Sequence, residues 1–242
     1  MGWNIVDSGE AEAAAFELRR AVVDKLGLRK GLFVVEAGCG QGGFTSALSK
    51  ALEESGKVLA VDISTEYADE FRRNLDKWGV KERVTFIQAD VANLKRVLED
   101  EVADIAVGYR FLEELKHPED IERIIKEIAR VVKKGGKVCL VELSLEARNV
   151  AEENYIRLHR ESGDSLFEQQ KIIEASENAG LTEIKIEKFD TDIWFSPDVA
   201  KRDLALSQIW FDEDVNKRLG SSIGKYGMKY PALLIFSGTK PE

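Results

Sequence analysis

The 242-residue sequence contains no apolar run near the roughly 18 residues needed to cross a membrane, and it has only four prolines. Its N-terminus lacks a basic segment followed by an apolar core, so we predict no secretory signal and a cytoplasmic location. The sequence also lacks internal repeats and low-complexity linkers. The length suits one sizeable α/β domain, and we expect a single domain over residues 1–242.

Cysteine and histidine are scarce, which excludes several kinds of site. Cys39 and Cys139 stand 100 positions apart, so they form neither a C-x-x-C redox pair nor part of a metal quartet. We expect both thiols to fill the core. His117 and His159 are the only histidines, and no group of histidines, cysteines and acids has metal-ligand spacing. The sequence therefore predicts no metal site.

Basic clusters are also missing, since the longest are pairs such as Lys133-Lys134 in a chain of formal net charge −9. Because nucleic-acid binding depends on clustered positive charge, the composition argues against a nucleic-acid substrate. It leaves open whether the chain forms a homo-oligomer.

What the sequence does have is a regular alternation of apolar strand patterns with helical patterns. The predicted strands are Leu32–Ala37, Val58–Asp62, Val84–Gln88, Val102–Gly108, Lys137–Leu143, Glu183–Phe189 and Ala232–Gly238. The predicted helices include 43–54, 65–78, 91–99, 119–133, a polar segment within 144–164, and 165–180. This alternation predicts an α/β fold with a doubly wound, mostly parallel sheet and helices on both faces, and the late strands are compatible with an antiparallel edge.

The segment EAGCGQGG, residues 36–43, has four glycines directly after the first predicted strand. Glycines there let the backbone turn tightly and approach a ligand. Carboxylates follow at the ends of later strands, at Asp62, Asp90 and Glu142. Ligands of open parallel sheets bind beyond the carboxyl ends of the strands. Asp62, about 20 residues past the glycines, is where nucleotide-binding units place a ribose-binding acid.

These motifs resemble those of the class I S-adenosylmethionine-dependent methyltransferases. The matching segments are VVEAGCGQG (34–42), VDIS (61–64), QAD (88–90) and VVKKGGKVCLVE (131–142). The resemblance covers about residues 31–143 and implies a Rossmann-like methyltransferase fold with seven strands and an antiparallel last strand. It also implies S-adenosyl-L-methionine as cofactor and S-adenosyl-L-homocysteine as product.

The resemblance implies roles at the first two strand ends. Gly38, Gly40 and Gly42 would bring backbone amides against the methionine part of the cofactor. Glu36 would organise that turn and, indirectly, the ammonium group of the cofactor. Asp62 would accept both ribose hydroxyls, although an acid here could instead serve only as the start of the next helix.

Further roles are implied at the later strand ends. Ile63 would pack against the adenine, Asp90 would accept from the adenine amino group, and Val91 would pack beside it. Asp90 could alternatively cap the helix that follows. Tyr109 would border the sulfonium and the acceptor, and we place it with His159 as the candidate catalytic residues.

The predicted activity is methyl transfer to a small-molecule acceptor. The segment GYRFLEEL (108–115) lacks the Asn/Asp-Pro-Pro-Tyr element of family members that act on amino groups of DNA bases or glutamine. We expect residues 144–164 and 190–230 to be insertions that cap the acceptor. The aromatic residues of the second insertion would fill that cap rather than form a stacking surface, and they are Trp194, Phe195, Trp210, Phe211, Tyr226 and Tyr230.

Two alternatives remain at this point. Gly38, Gly40 and Gly43 also fit the G-x-G-x-x-G pattern of an NAD(P)-dependent oxidoreductase. The second alternative is a non-catalytic cofactor-binding or assembly subunit, since methyl transfer needs few side chains.

Overall fold

The computed structural model describes residues 3–5, 8–202 and 213–242, and the chain divides into two compact units. The sheet unit comprises Arg19–Glu142, Phe167–Glu187 and Leu234–Glu242. The small unit comprises Met1–Leu18, Leu143–Leu166 and Lys188–Leu233, and it includes both predicted cap insertions. Trp210 and Phe211 lie outside the described residues.

The strands and helices have the following bounds. The strands are β1 (Trp3–Ile5), β2 (Phe33–Ala37), β3 (Lys57–Asp62), β4 (Val84–Gln88), β5 (Ala103–Tyr109), β6 (Val132–Leu143), β7 (Thr182–Phe189), β8 (Ile193–Phe195), β9 (Met228–Lys229) and β10 (Leu233–Thr239). The helices are α1 (Ser8–Lys25), α2 (Gly43–Ala51), α3 (Ala68–Trp78), α4 (Ile121–Val131), α5 (Val150–Glu161), α6 (Gln169–Asn178), α7 (Pro197–Arg202) and α8 (Glu213–Tyr226). None of these helices is both long and apolar enough to cross a membrane.

The sheet unit is built on a seven-stranded sheet in the order β4-β3-β2-β5-β6-β10-β7. It is mostly parallel with one antiparallel strand, which confirms the predicted fold class. Strands β2 to β5 pair in parallel, with Ala37 opposite both Val61 and Gly108. Their carboxyl ends therefore lie along one edge of the sheet. Strand β10 lies between β6 and β7, so β7 is the outer strand.

The helix predicted over 91–99 is wrong in kind. Residues Val91–Arg96 form 3₁₀ turns, and Asn93 has a non-helical φ of −137°. The amide Nδ2 of Asn93 donates to Asp90 Oδ2 at 2.6 Å. This local side-chain bond holds Asn93 out of the helical conformation, as short polar side chains often do.

The small unit contains a three-stranded sheet in the order β1-β8-β9 and the helices α5, α7 and α8. No helix or strand is predicted from the sequence between residues 190 and 230, whereas β8, α7, α8 and β9 lie there. In α8 the buried residues Val215, Leu219 and Ile223 recur every four positions, which is a helical spacing. Glycines at 220 and 224 weaken that pattern in the sequence.

Candidate active site

The three spaced glycines after β2 all have left-handed backbone angles, with φ of 71° at Gly38, 46° at Gly40 and 78° at Gly42. A Cβ on Gly38 would overlap the Phe111 side chain, and one on Gly42 would lie 2.7 Å from the Phe71 ring. A Cβ on Gly40 would meet no atom within 4 Å. Gly40 is therefore the position of the three where a ligand can approach the backbone.

Asp62 ties the glycine loop to the end of β3. The Gly40 N–H donates to Asp62 Oδ2 at 2.8 Å, and the Ser64 N–H donates to Oδ1 at 2.9 Å. The Gly38 N–H donates to the carbonyl of Val61 at 2.8 Å. A carboxylate has about four acceptor positions, so Asp62 keeps capacity for further donors.

Glu36 is a buried acid at the end of β2, with 1% of its surface exposed. Its Oε2 atom has no hydrogen-bond partner among the described residues. Burial raises the pKa of this carboxyl to about 8, the charge of Asp62 adds to the rise, and the charge of Arg19 opposes it. A cationic ligand group beside Glu36 would favour its ionised form and supply the missing donor.

Asp90 and Ile63 follow the neighbouring strands β4 and β3. Asp90 Oδ1 accepts from the Ala92 N–H at 2.9 Å, so the capping role considered from the sequence is present. Ile63 is 65% exposed, an apolar side chain left for an apolar partner. Val91, which follows Asp90 in the chain, is buried.

Tyr109 lies at the end of β5 and stacks on Phe44, the second residue of α2. The ring centroids are 4.4 Å apart with an interplanar angle of 13°. Since α2 begins directly after the glycine loop, this contact places Tyr109 on the same edge of the sheet as Gly40. The sheet unit thus brings together all the predicted cofactor residues and Tyr109.

Two further buried acids lie beyond β5 in the sheet unit. Arg110 Nη2 is 2.5 Å from Glu113 Oε1. Glu142 at the end of β6 accepts from the Leu112 N–H at 3.3 Å. Burial raises the pKa of Glu142 well above its ordinary value, and the charge of Glu113 adds to the effect.

His159 belongs to the small unit, on α5. Its Nδ1 lies 2.5 Å from Asp164 Oδ2, and its ring centroid is 4.6 Å from that of Tyr155. A carboxylate on one ring nitrogen fixes the orientation of an imidazole and favours a proton on that nitrogen. The other histidine, His117, is exposed and lies 3.4 Å from Glu119.

Both cysteines are buried and free, as the sequence predicts for core residues. Burial raises the pKa of Cys139 to about 12 and also raises the pKa of Cys39. Neither thiol is therefore a nucleophile at neutral pH.

Sequence analysis missed Arg19, whose guanidinium packs on Gly43 at the start of α2. A Cβ on Gly43 would lie 2.9 Å from Arg19 Cζ. A signal was available in the sequence, because the apolar residues Phe16 and Val22 lie three residues to either side of Arg19. Both are buried in the structure. Arg19 thus follows a helical spacing that predicts burial for a charged residue.

Comparisons with known proteins agree with this geometry. Residues 34–136 match a family model described as a methyltransferase domain. The chain is 27% identical over 161 residues to a protein of Saccharolobus solfataricus named "Probable cobalt-precorrin-6B C(15)-methyltransferase (decarboxylating)", a match covering 62% of this chain and 77% of that protein. It is 30% identical over 138 residues to the demethylmenaquinone methyltransferase of Staphylococcus aureus, with coverage of 57% and 54%.

Residues 34–136 are therefore similar to a methyltransferase domain. The fold of the chain is also found in the phosphoethanolamine N-methyltransferase 2 of Haemonchus contortus, solved with phosphomonomethylethanolamine and S-adenosylhomocysteine. That likeness has a TM-score of 0.63 at 19% identity and covers 93% of this chain and 53% of the other. The chain spans only about half the length of the staphylococcal and nematode proteins.

Two solved structures of the Haemonchus contortus enzyme contain S-adenosylhomocysteine and S-adenosyl-L-methionine, the product and the cofactor that the sequence resemblance implies. The comparisons give no support to an NAD(P)-dependent oxidoreductase or to a non-catalytic subunit. The residues at the site fit the cofactor, since Gly40 has an open face and buried Glu36 has an oxygen without a donor in the described part of the chain.

Proposed function

We propose that this protein is a methyltransferase that transfers the methyl group of S-adenosylmethionine to a small-molecule acceptor, with the cofactor held at the carboxyl ends of β2 to β4. The observation that carries the proposal is the open face of Gly40, whose N–H is held by Asp62. The bound cofactor supplies an electrophilic sulfonium methyl. The protein then needs chiefly to align the acceptor in line with that methyl and to exclude water.

The proposed cofactor contacts follow the strand ends. The backbone of Gly38, Gly40 and Gly42 lies against the methionine part, with its N–H groups held by Val61, Asp62 and Cys39, and Glu36 favours the ammonium group of the cofactor. Asp62 accepts from the ribose hydroxyls with the acceptor capacity that its two backbone donors leave. Contacts with the adenine come from Ile63, Asp90 and Val91, of which Ile63 offers an exposed apolar side chain.

The acceptor is proposed to be a small molecule, and residues 144–164 and 190–230 to select it. The net charge of −9 and the names of the relatives, which denote a cobalt-precorrin and demethylmenaquinone, support this class. Tyr109 is proposed to border the acceptor. For an acceptor that must lose a proton, His159 is the proposed base, because Asp164 holds its Nδ1.

The first experiment is a calorimetric titration with S-adenosylhomocysteine, run beside NADH and NADPH. Micromolar binding of S-adenosylhomocysteine alone is expected. A labelled methyl donor is then tested with a naphthoquinol, a tetrapyrrole and an oligonucleotide. Transfer to the oligonucleotide alone would contradict the proposed acceptor class, and binding of a nicotinamide nucleotide alone would contradict the cofactor site.

Asp62→Ala tests the proposed ribose contact. We expect weaker S-adenosylhomocysteine binding by about 1–3 kcal/mol, the scale for stranding polar partners. The matched control is Asp69→Ala, which removes an exposed carboxylate from α3. Because Asp62 also holds the loop, unfolding is measured in parallel. Unchanged affinity in a folded Asp62→Ala protein would remove Asp62 from the site.

A further inference from the structure

The start of α2 presents backbone N–H groups without a side-chain cap. The capping residue is Gly42, and the first turn of this nine-residue helix contains no acidic residue. The first N–H groups of a helix lack partners within the helix, and together with the helix dipole they favour an anion. Nothing in the sequence of α2 supplies that anion.

A cation also lies at this helix start, where the helix dipole disfavours it. The guanidinium of Arg19 covers Gly43, with both Cζ and Nη1 at 2.9 Å from the position of a Gly43 Cβ. Among the described residues, no carboxylate forms an ion pair with Arg19 within 4.0 Å. The partly buried guanidinium and the uncapped N–H groups lie next to each other, and each of them can bind an anion.

The nearest buried acid does not satisfy Arg19. Glu36 interacts with it only through the longer-range attraction between charges. The buried Oε2 of Glu36 itself has no donor among the described residues. Within the described part of the chain, the site therefore has an acceptor without a donor at Glu36 and a donor group without an acceptor at Arg19. An α-amino acid matches both, because its ammonium group can donate to Glu36 and its carboxylate can accept from Arg19.

We propose that Arg19 is a cofactor-binding residue that recognises the carboxylate of the methionine end of the cofactor, with the α2 N–H groups as additional donors. This proposal rests on the proposed function, since it assumes that the amino-acid end of the cofactor lies at the glycine loop. Arg19 and Glu36 then bind the two charges of that end separately. A cofactor analogue without the carboxylate loses one of the two contacts.

The test compares two ligands by calorimetry. S-adenosylhomocysteine has the carboxylate, and S-adenosyl-3-thiopropylamine lacks only that group. The wild-type protein is expected to prefer S-adenosylhomocysteine by about 10- to 100-fold, the range for a hydrogen-bonded charged pair. Arg19→Gln is expected to reduce the preference to less than about threefold, chiefly by weakening S-adenosylhomocysteine binding. Arg19→Lys keeps the charge without the planar fork and should fall between them.

Arg20→Gln is the matched control, because it removes the neighbouring exposed arginine of α1 and should keep the wild-type preference. A preference that persists in folded Arg19→Gln and Arg19→Lys proteins would overturn the proposal, as would a wild-type protein that binds both ligands equally. If Arg19→Gln does not fold, the Arg19→Lys result decides. A wild-type protein that binds neither ligand would instead contradict the proposed function on which this inference rests.

Discussion

Glu36 in the sheet unit and Glu152 in the small unit are both buried, with 1% and 0% of their surfaces exposed. Their pKa values are nevertheless shifted in opposite directions. Burial raises the pKa of Glu36 to about 8. Burial acts on Glu152 too, but Arg148 outweighs it and holds the pKa of Glu152 below its ordinary value. The Arg148 guanidinium donates at 2.8 Å and its backbone N–H at 2.9 Å.

The difference separates an acid whose partners lie within the fold from an acid whose partner would be the proposed cofactor. Glu152 obtains its donors from Arg148, which also pairs with Asp190 at 2.5 Å and so joins two segments of the small unit. Glu36 has one oxygen without a donor in the described residues. A buried acid without a full set of partners destabilises the folded state, and such groups concentrate at functional sites. The comparison predicts that removing partners costs stability at Glu152, whereas changing Glu36 alters ligand binding.

The largest expected effect comes from Arg148→Met, which leaves Glu152 buried without its cation. We expect the free energy of unfolding to fall by about 3 kcal/mol, the scale for leaving a buried charged group without its donors. Urea unfolding measures it. Arg160→Met on α5, the helix that carries Glu152, is the control, and as an exposed substitution it should cost less than about 0.5 kcal/mol. Equal losses in the two variants would remove the distinction between Glu152 and a surface acid.

The sheet unit was largely predictable because its strands have five or more residues, long enough to show an apolar run or an alternation of apolar and polar residues. Parallel pairing then brings Glu36, Asp62 and Asp90 to one edge from widely separated positions. The small unit was not predictable in this way. Its strands β8 and β9 have three and two residues, too few to show an alternation, and they are defined by pairing with each other.

The site shows the same limit at the level of single residues. The sequence indicates that glycines follow β2, but it does not tell which of them faces a ligand. That depends on Phe111 and Phe71, which come from distant parts of the chain and occupy the space beside Gly38 and Gly42. Arg19 was missed for the same reason, since its contact with Gly43 requires α1 to pack beside α2.

Substituting the glycines should lower the free energy of unfolding by an intermediate amount. These variants extend the comparison from buried acids to backbone positions. Gly38→Ala should lower the free energy of unfolding by about 2 kcal/mol, because the methyl group overlaps Phe111 at a left-handed φ. Gly40→Ala carries only the left-handed strain, about 1 kcal/mol, but places its methyl group where the ligand approaches. Urea unfolding and S-adenosylhomocysteine titration separate these effects. Gly40→Ala with wild-type affinity would show that this face is not used.

The last expected effect is a pH dependence that Glu36 confers on both stability and binding. Its folded pKa of about 8 lies above the ordinary 4.5, so the unfolded chain loses this proton first as pH rises. The contribution of Glu36 to stability is therefore complete below pH 4.5 and is lost progressively as pH rises towards 8. Glu36→Gln should remove this slope from the free energy of unfolding measured in urea.

Binding should respond to pH with the opposite sign. The groups that act on Glu36 are Thr45 and Arg19, which lower its pKa, and Asp62, which raises it, and neutral Cys39 lies nearby with its pKa raised. An ammonium group of the cofactor favours ionised Glu36, so binding releases a proton below pH 8. S-adenosylhomocysteine affinity should then rise between pH 6 and 8 by up to about tenfold per unit. The Glu36→Gln protein should bind S-adenosylhomocysteine more weakly and lose most of that rise in affinity. An equally steep rise in the variant would show that another group releases the proton. Glu36 would then be a structural acid like Glu152.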